Sequence, residues 1–200
     1  MRKNAAALTV AGSDSGGGAG IQADIKTFSA LGVYGASVIT AITAQNLEGV
    51  SAIQALEPAL VEAQLRAVLE GYPVKAIKTG MLFSTEIIEA TAGVLGSYLR
   101  IPLVVDPVFA ATSGSRLIKP RAVRVLADRL FPLAALVTPN LAEAEFLCGG
   151  ELRSLDELGR AGETLFKRFG VPFLMKGGHL PGAAVDLLID GRGMKTYAAD

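Results

Sequence analysis

Five polar side chains of complementary chemistry follow the predicted ends of strands: Asp24, Gln45, Asp106, Glu143 and Lys176. A carboxylate and an amide together can hydrogen-bond the edge of a polar ring. Two further carboxylates can hold Mg²⁺ or its waters, and a lysine can neutralise a phosphate. Because open α/β sheets bind ligands at the carboxyl ends of their strands, this set favours phosphoryl transfer from a magnesium nucleotide to a small hydroxylated acceptor.

The densest glycine run, AGSDSGGGAGIQAD (11–24), connects an apolar strand to a predicted helix. That position is typical of a phosphate cradle. Its spacing, however, matches neither the Walker A loop nor the dinucleotide fingerprint, and Asp14 stands where a nucleophile elbow has serine. Asp24 lies beside an apolar helical stripe, where a carboxylate is costly unless it has a partner. The loop is therefore interpreted either as part of an acceptor pocket or as a sharply turning connection without a ligand.

Each of the other candidate residues also has an ordinary structural interpretation. Gln45 in TAQN (43–46) could recognise a heterocycle or belong to a turn, and Met81 in KTGML (78–82) could contact a flat ring or pack in the core. Asn140 and Glu143 in TPNLAEAEFL (138–147) share one helix face, which suits a ligand or an ordinary N-cap. Lys176 in LMKGGH (174–179) could meet a phosphate or lie on the surface before a turn.

The composition argues against several classes of protein. The 19 basic and 19 acidic residues give a net charge of +0, so there is no electrostatic footprint for nucleic acid or an anionic membrane. A single histidine, His179, excludes a histidine-rich metal site and gives a Ser-His-Asp hydrolase little support. The single cysteine, Cys148, is expected to be buried at a helix end and allows no internal disulfide. No apolar stretch approaches a membrane span, and we expect a cytoplasmic protein.

Short apolar runs alternate with segments of helical period along the chain. Strands are predicted at 6–12, 34–45, 74–82, 101–108, 134–140 and 171–178, and helices at 21–31, 58–70, 84–99 and 154–169. Most of the runs lack alternation, which is typical of parallel strands covered on both faces. AAVDLLID and MKTYAA flank GRG and predict an antiparallel hairpin. The sequence thus predicts one α/β domain over residues 1–200, with helices on both faces of a mostly parallel sheet.

The motifs resemble those of one enzyme family over nearly the whole chain. AGSDSGGGAGIQADIKTFSALGVYGASVITAITAQN, KTGML, DPVFAATSG, TPNLAEAEFL and LMKGGH are similar to segments of the hydroxymethylpyrimidine/phosphomethylpyrimidine kinases of thiamine biosynthesis, in the ribokinase-like superfamily. The resemblance implies ATP-dependent phosphorylation of 4-amino-5-hydroxymethyl-2-methylpyrimidine and of its monophosphate. It also implies that Asp24 and Gln45 contact the pyrimidine, and that Gly12, Met81 and Val108 line its pocket.

The same resemblance implies a second set of residues for the nucleotide. Asp106 and Glu143 would lie near Mg²⁺ and the phosphates of ATP, with Asn140 supporting them. Lys176 would approach the ATP phosphates. Members of the family are often dimers, so a homodimer is one expected assembly.

Two departures from the family pattern stand out. Family members carry a later glycine-rich segment of the form G-T-G-C or G-A-G-D, which forms the anion hole and supplies the residue proposed to activate the acceptor hydroxyl. No such segment occurs in residues 1–200, so no catalytic base is assigned and we expect little turnover from these residues. Phe109 also stands where the family often has methionine. A pyridoxal kinase-like enzyme and a non-catalytic pyrimidine-binding domain remain the alternatives.

Overall fold

The computed structural model describes residues 5–109, 120–178, 180 and 184–198. The strands are β1 (Ala6–Asp14), β2 (Tyr34–Asn46), β3 (Gly49–Ala55), β4 (Val74–Thr79), β5 (Leu103–Val105), β6 (Leu136–Val137), β7 (Phe173–Lys176), β8 (Val185–Asp190) and β9 (Gly193–Ala198). The helices are α1 (Gly20–Ala30), α2 (Pro58–Gly71), α3 (Thr85–Leu95), α4 (Pro120–Arg129), α5 (Leu141–Cys148) and α6 (Leu155–Phe169). No helix in these described ranges is long and apolar enough to cross a membrane.

The nine described strands form one sheet in the order β3-β2-β1-β4-β5-β6-β7-β8-β9. All neighbouring pairs from β2 to β7 are parallel. The three remaining pairs, β2–β3, β7–β8 and β8–β9, are antiparallel. The predicted mostly parallel sheet and the hairpin at the end of the chain are therefore confirmed.

The register of the sheet shows which helices cover which face. One row across the strands contains Thr9, Lys78, Val104 and Leu136. The next row contains Val10, Thr79, Val105, Val137 and Phe173. Successive side chains of a strand point to opposite faces. Thr9 bonds Asp24 of α1, whereas Gly162 of α6 lies against Met175, two residues after Phe173. Helices therefore lie on both faces, as predicted.

Coverage of the two faces is uneven along the sheet. Every residue of β1 except Ser13 is buried, as expected for a strand between two layers. In β7 and β8, buried residues alternate with half-buried ones. The prediction that the strands of the apolar runs are covered on both faces is therefore right for β1 and wrong for β7, whereas β8 belongs to the predicted hairpin.

Capping residues fix where α5, the helix that approaches the candidate site, begins and ends. The side chain of Asn140 accepts a hydrogen bond from the Glu143 amide, while Glu143 accepts one from the Asn140 amide, which together form a capping box at the start of α5. Gly149, with φ 76°, ends the helix in the left-handed conformation. Residues 138–140 are thus turned from the end of β6 directly into α5.

Several elements differ from the sequence-based expectations. Strand β3 and helix α4 were not predicted. The expectation of a buried Cys148 was also wrong, because it is the last residue of α5 and is exposed. His179 and part of the DPVFAATSG motif lie outside the described residues.

Candidate active site

A cleft of about 330 Å³ opens at the carboxyl ends of the parallel strands. All nine residues predicted to bind a ligand line it, namely Gly12, Asp24, Gln45, Met81, Asp106, Val108, Asn140, Glu143 and Lys176. They come from strands β1, β2 and β7, helices α1 and α5, and the connections that follow β4, β5 and β6. The parallel sheet therefore brings together side chains that are up to about 160 positions apart in sequence.

The glycine-rich loop is organised around its own aspartate. Asp14 is 5% exposed, and its carboxylate accepts hydrogen bonds from the amides of Gly16 (2.8 Å), Gly18 (2.9 Å) and Ala19 (2.8 Å). Amides of this kind are what a phosphate cradle uses. Because these amides already bond a carboxylate of the same chain, the loop is not arranged to hold a phosphate. It forms one wall of the cleft.

Close packing explains two glycines in and beside this loop. Gly20 has φ +56°, and a Cβ there would collide with the carbonyl oxygen of Gly12. A Cβ on Gly12 would in turn lie 2.5 Å from Met81 Cε. Glycine at both positions lets α1 begin against the end of β1 and lets Met81 reach the floor of the cleft.

Ser15 fixes the backbone of Gln45. Its hydroxyl donates to the Gln45 carbonyl oxygen and accepts from the Gln45 amide, both at 2.8 Å. The register of β2 against β3 shifts at this point, between Ala44 and Gln45, and such irregularities redirect side chains. The loop and the bulge together therefore determine where the side chain of Gln45 meets the cleft.

Asp24 has the partner that its position requires. Lys78 Nζ lies 3.1 and 3.0 Å from its two carboxylate oxygens, and Thr9 Oγ1 donates to Oδ2 at 2.6 Å. Lys78 lies on β4, which pairs with β1, and its register partner on β1 is Thr9. A half-buried ion pair consequently forms one wall of the cleft, next to Gly12 and Met81.

The opposite end of the cleft combines a lysine with two acidic residues. Lys176 Nζ lies 2.9 Å from Asp106 Oδ1, to which Thr138 Oγ1 also donates at 3.3 Å. Glu143 is 4% exposed, and burial raises its pKa from 4.5 to about 7, with the negative charge of Asp106 acting in the same direction. The Asn140 amide and Lys176 oppose this shift without cancelling it.

The donor set at this end fits a magnesium ion shared with a nucleotide. Magnesium in phosphoryl-transfer sites typically takes one or two carboxylates, with phosphate oxygens and waters completing six ligands. Asp106 and Glu143 supply two carboxylates at one end of the cleft. Within the described residues, no group of three or more His, Cys, Asp or Glu residues could hold a metal by itself. The chemistry therefore suits Mg²⁺ better than a metal that needs a complete protein cage.

The structure adds residues that the sequence-based reasoning did not select. Lys78 and Thr9 hold Asp24, and Asp14 and Ser15 hold the loop. A signal for Lys78 was present, because a carboxylate beside an apolar stripe implies a basic partner. Asp14 gave no comparable signal, since the three amides it accepts from converge only in the folded loop.

Comparison with known proteins gives consistent matches. A sequence model of the phosphomethylpyrimidine kinase family matches residues 14–200. The thiamine biosynthesis bifunctional protein ThiED of Geobacter sulfurreducens is 52% identical over 193 residues, which are 96% of this chain and 39% of that protein. This chain therefore spans well under half of that relative.

Two solved kinases share the fold over nearly the whole chain. The crystal structure of phosphomethylpyrimidine kinase from Clostridium difficile 630 has a TM-score of 0.90 and 48% identity, covering 98% of this chain and 85% of that one. The ADP complex of Bacillus subtilis pyridoxal kinase has a TM-score of 0.89 and 36% identity, covering 98% of this chain and 76% of that one.

The parallel sheet and the matches to two solved kinases place the chain in the class of proteins with the ribokinase-like fold, and its polar cleft lies at the strand ends. Within that class, the chain belongs to the phosphomethylpyrimidine kinase family. The resemblance drawn from its motifs is thereby confirmed.

Proposed function

We propose that this chain forms the acceptor and nucleotide sites of a kinase that transfers a phosphoryl group from MgATP to 4-amino-5-hydroxymethyl-2-methylpyrimidine and to its monophosphate. The observation that carries the proposal is the division of one cleft into two chemically different ends. At one end, Gln45 and the Asp24–Lys78 ion pair lie beside glycine and apolar residues. At the other end, Asp106, Glu143 and Lys176 form a cluster of two carboxylates and a lysine. Family membership supports the same reaction.

At the acceptor end, Asp24 accepts hydrogen bonds and Gln45 can both donate and accept, which suits the amino and ring-nitrogen groups of an aminopyrimidine. Met81 and Val108 provide apolar contacts for the flat ring. The cleft volume, about 330 Å³, lies within the range for small-molecule sites. The ring would therefore bind with its polar edge toward α1 and β2.

At the nucleotide end, Asp106 and Glu143 would hold Mg²⁺, which neutralises phosphate charge when bound. Lys176 would exchange its contact with Asp106 for a phosphate oxygen, since an ammonium group pairs with either anion. Asn140 positions Glu143 through the capping box. No described residue is assigned as the base for the acceptor hydroxyl.

A coupled assay of ADP formation, with calorimetry alongside it, tests the proposal. The aminopyrimidine and pyridoxal are compared as acceptors at equal concentration, with MgATP. We expect the chain to bind the aminopyrimidine more tightly than pyridoxal. Tighter binding of pyridoxal would favour the alternative of a pyridoxal kinase-like enzyme. This alternative is tested because the Bacillus subtilis pyridoxal kinase is 36% identical to this chain.

Turnover is scored separately from binding in this assay. We predict low turnover by residues 1–200, because the expected anion-hole motif is not among them. Binding of the aminopyrimidine without ATP consumption would fit a non-catalytic binding domain as well. Full-rate turnover would show that the described cleft suffices for chemistry.

Replacement of Gln45 by alanine is expected to weaken acceptor binding about tenfold while nucleotide affinity stays within about twofold, because only the ring end loses a hydrogen-bonding group. The matched control is Gln54→Ala, since Gln54 lies on β3, is exposed, and bonds the Ala55 carbonyl outside the cleft. Both affinities are measured by calorimetry. An acceptor affinity that is unchanged in Gln45→Ala would remove Gln45 from ring recognition.

The proposed substrates also suggest where and in what form the protein works. ATP and a biosynthetic intermediate are consistent with a cytoplasmic location, and the expected homodimer stays a prediction. Sedimentation equilibrium with and without the aminopyrimidine would establish the assembly.

A further inference from the structure

The Lys78–Asp24 ion pair occupies an unusual place for a purely structural contact. Both side chains line the cleft, and they are only 25% and 18% exposed. Thr9, which bonds the same carboxylate, is fully buried at the base of the pair. The pair therefore lies between the sheet and the open cleft. Thr9 of β1 hydrogen-bonds Asp24, which is part of α1.

Lys78 has donor capacity beyond what this pair uses. An ammonium group has three N–H donors, and the described contacts of Nζ are those to the two oxygens of Asp24, at 3.1 and 3.0 Å. Gly80 leaves space beside Nζ, because a Cβ there would lie 3.1 Å from it. Nζ is therefore accessible from the cleft over the backbone of Gly80.

The pair presents a donor and an acceptor side by side. The carboxylate of Asp24 can only accept, whereas the ammonium of Lys78 can only donate. An aminopyrimidine carries the complementary arrangement on one edge, because its amino group donates and the adjacent ring nitrogen accepts. We infer that Lys78 is a specificity-determining residue, which donates to the ring nitrogen while Asp24 accepts from the neighbouring amino group.

This inference rests on the proposed function and deepens it, since it assigns a further residue to ring recognition. It differs from a positioning role, in which Lys78 would only orient Asp24. A positioning role weakens alike all acceptors that carry the amino group, because Asp24 binds that group. Recognition of the ring nitrogen by Lys78 weakens only those acceptors that have this nitrogen.

The test combines removal of the lysine with removal of the ring nitrogen from the ligand. Binding of 4-amino-5-hydroxymethyl-2-methylpyrimidine and of 2-amino-4-methylbenzyl alcohol, which keeps the amino, methyl and hydroxymethyl groups but has no ring nitrogen, is measured by calorimetry for the unaltered chain, Lys78→Met and Lys78→Arg. Lys75→Met is the matched control, because Lys75 is an exposed lysine on the same strand. Thermal unfolding followed by circular dichroism checks that each variant is folded.

For the unaltered chain and for Lys75→Met, we expect the aminopyrimidine to bind at least about tenfold more tightly than the analogue without the ring nitrogen. In Lys78→Met, affinity for the aminopyrimidine is expected to fall about tenfold or more, while affinity for the analogue changes by about twofold or less. Lys78→Arg retains a charged donor and is expected to recover part of the preference.

Equal losses for both ligands in Lys78→Met would overturn the recognition role. Binding of neither ligand by the unaltered chain would instead overturn the proposed function, and this inference with it. If Lys78→Met does not fold because Asp24 is left without its partner, the double variant Lys78→Met with Asp24→Ala replaces it, since both charges are then removed and neither new side chain can donate to the ring nitrogen. A preference for the aminopyrimidine over the analogue that persists in the double variant would contradict the inference.

Discussion

Replacement of Glu143 by glutamine is expected to stabilise the folded chain by about 3 kcal/mol at pH 8 and to weaken binding of MgATP at least about tenfold. Glu143 is buried in the cleft, and its pKa is raised from 4.5 to about 7. Ionising it in place is costly, whereas glutamine carries no charge. Glutamine also keeps an oxygen that can accept from the Asn140 amide.

The direction of the pH dependence follows from proton binding. Between about pH 4.5 and pH 7, the folded state retains a proton on Glu143 that the unfolded state has lost. The free energy of unfolding therefore falls as the pH rises through this window, and the penalty is fully present above pH 7. Below pH 4.5 both states are protonated, so the glutamine variant should be no more stable than the unaltered chain.

Urea unfolding at a series of pH values, with nucleotide titrations at pH 8, measures both effects. Glu145→Gln is the matched control, because Glu145 lies on the same helix, does not line the cleft, and accepts a hydrogen bond from the Leu152 amide that glutamine can also accept. We expect it to change neither stability nor MgATP affinity appreciably. A Glu143→Gln variant that is less stable at pH 8, or that binds MgATP normally, would contradict the role assigned to Glu143.

The strand ends could be predicted from the sequence because they follow strong local signals. The predicted strands 6–12, 34–45, 101–108 and 171–178 contain Gly12, Gln45, Asp106 and Lys176 at or near their ends, and parallel strands place such ends at one edge of a sheet. Asp24 and Glu143 lie on the helices that follow strands, and Gly12 and Val108 were assigned to the pocket by the family resemblance only. Their chemical roles remain proposals, since position does not identify a ligand.

Features that depend on long-range contacts could not be predicted in the same way. Strand β3, GVSAIQA, has Gly, Ser and Gln among its apolar residues and forms an edge by pairing with β2, so its own pattern was weak. The Lys176–Asp106 pair joins residues 70 positions apart, and the lysine was interpreted as a phosphate contact or as a surface residue before a turn. The sequence indicated two chemical groups but not that they contact each other.

The glycine loop shows the same limit most clearly. Its glycine content suggested a phosphate cradle, and its spacing argued against one. Only the folded loop shows the reason, because the amides of Gly16, Gly18 and Ala19 converge on the carboxylate of Asp14. Asp14 occupies the position that an external anion would take in a phosphate-binding loop.

Replacement of Asp14 by asparagine is therefore expected to destabilise the chain by about 3 kcal/mol and to weaken binding of the aminopyrimidine at least about tenfold. The amides of the loop approach both carboxylate oxygens, Gly16 at Oδ1 and Gly18 and Ala19 at Oδ2. Asparagine has one oxygen, so its NH₂ group must face at least one backbone N–H in either orientation. The loop would then shift, and Ser15 would no longer hold Gln45 in place.

Asp190→Asn is the matched control for this change. Asp190 accepts a single backbone hydrogen bond, from the Arg192 amide at 2.7 Å in the β8–β9 turn, and the oxygen of asparagine can replace it. We expect this control to change the free energy of unfolding by less than about 0.5 kcal/mol. Urea unfolding and calorimetry with the aminopyrimidine and MgATP provide the comparison. Because the nucleotide end lies on other strands, MgATP affinity should be retained in Asp14→Asn, and a loss confined to MgATP would show that the loop serves the phosphates after all.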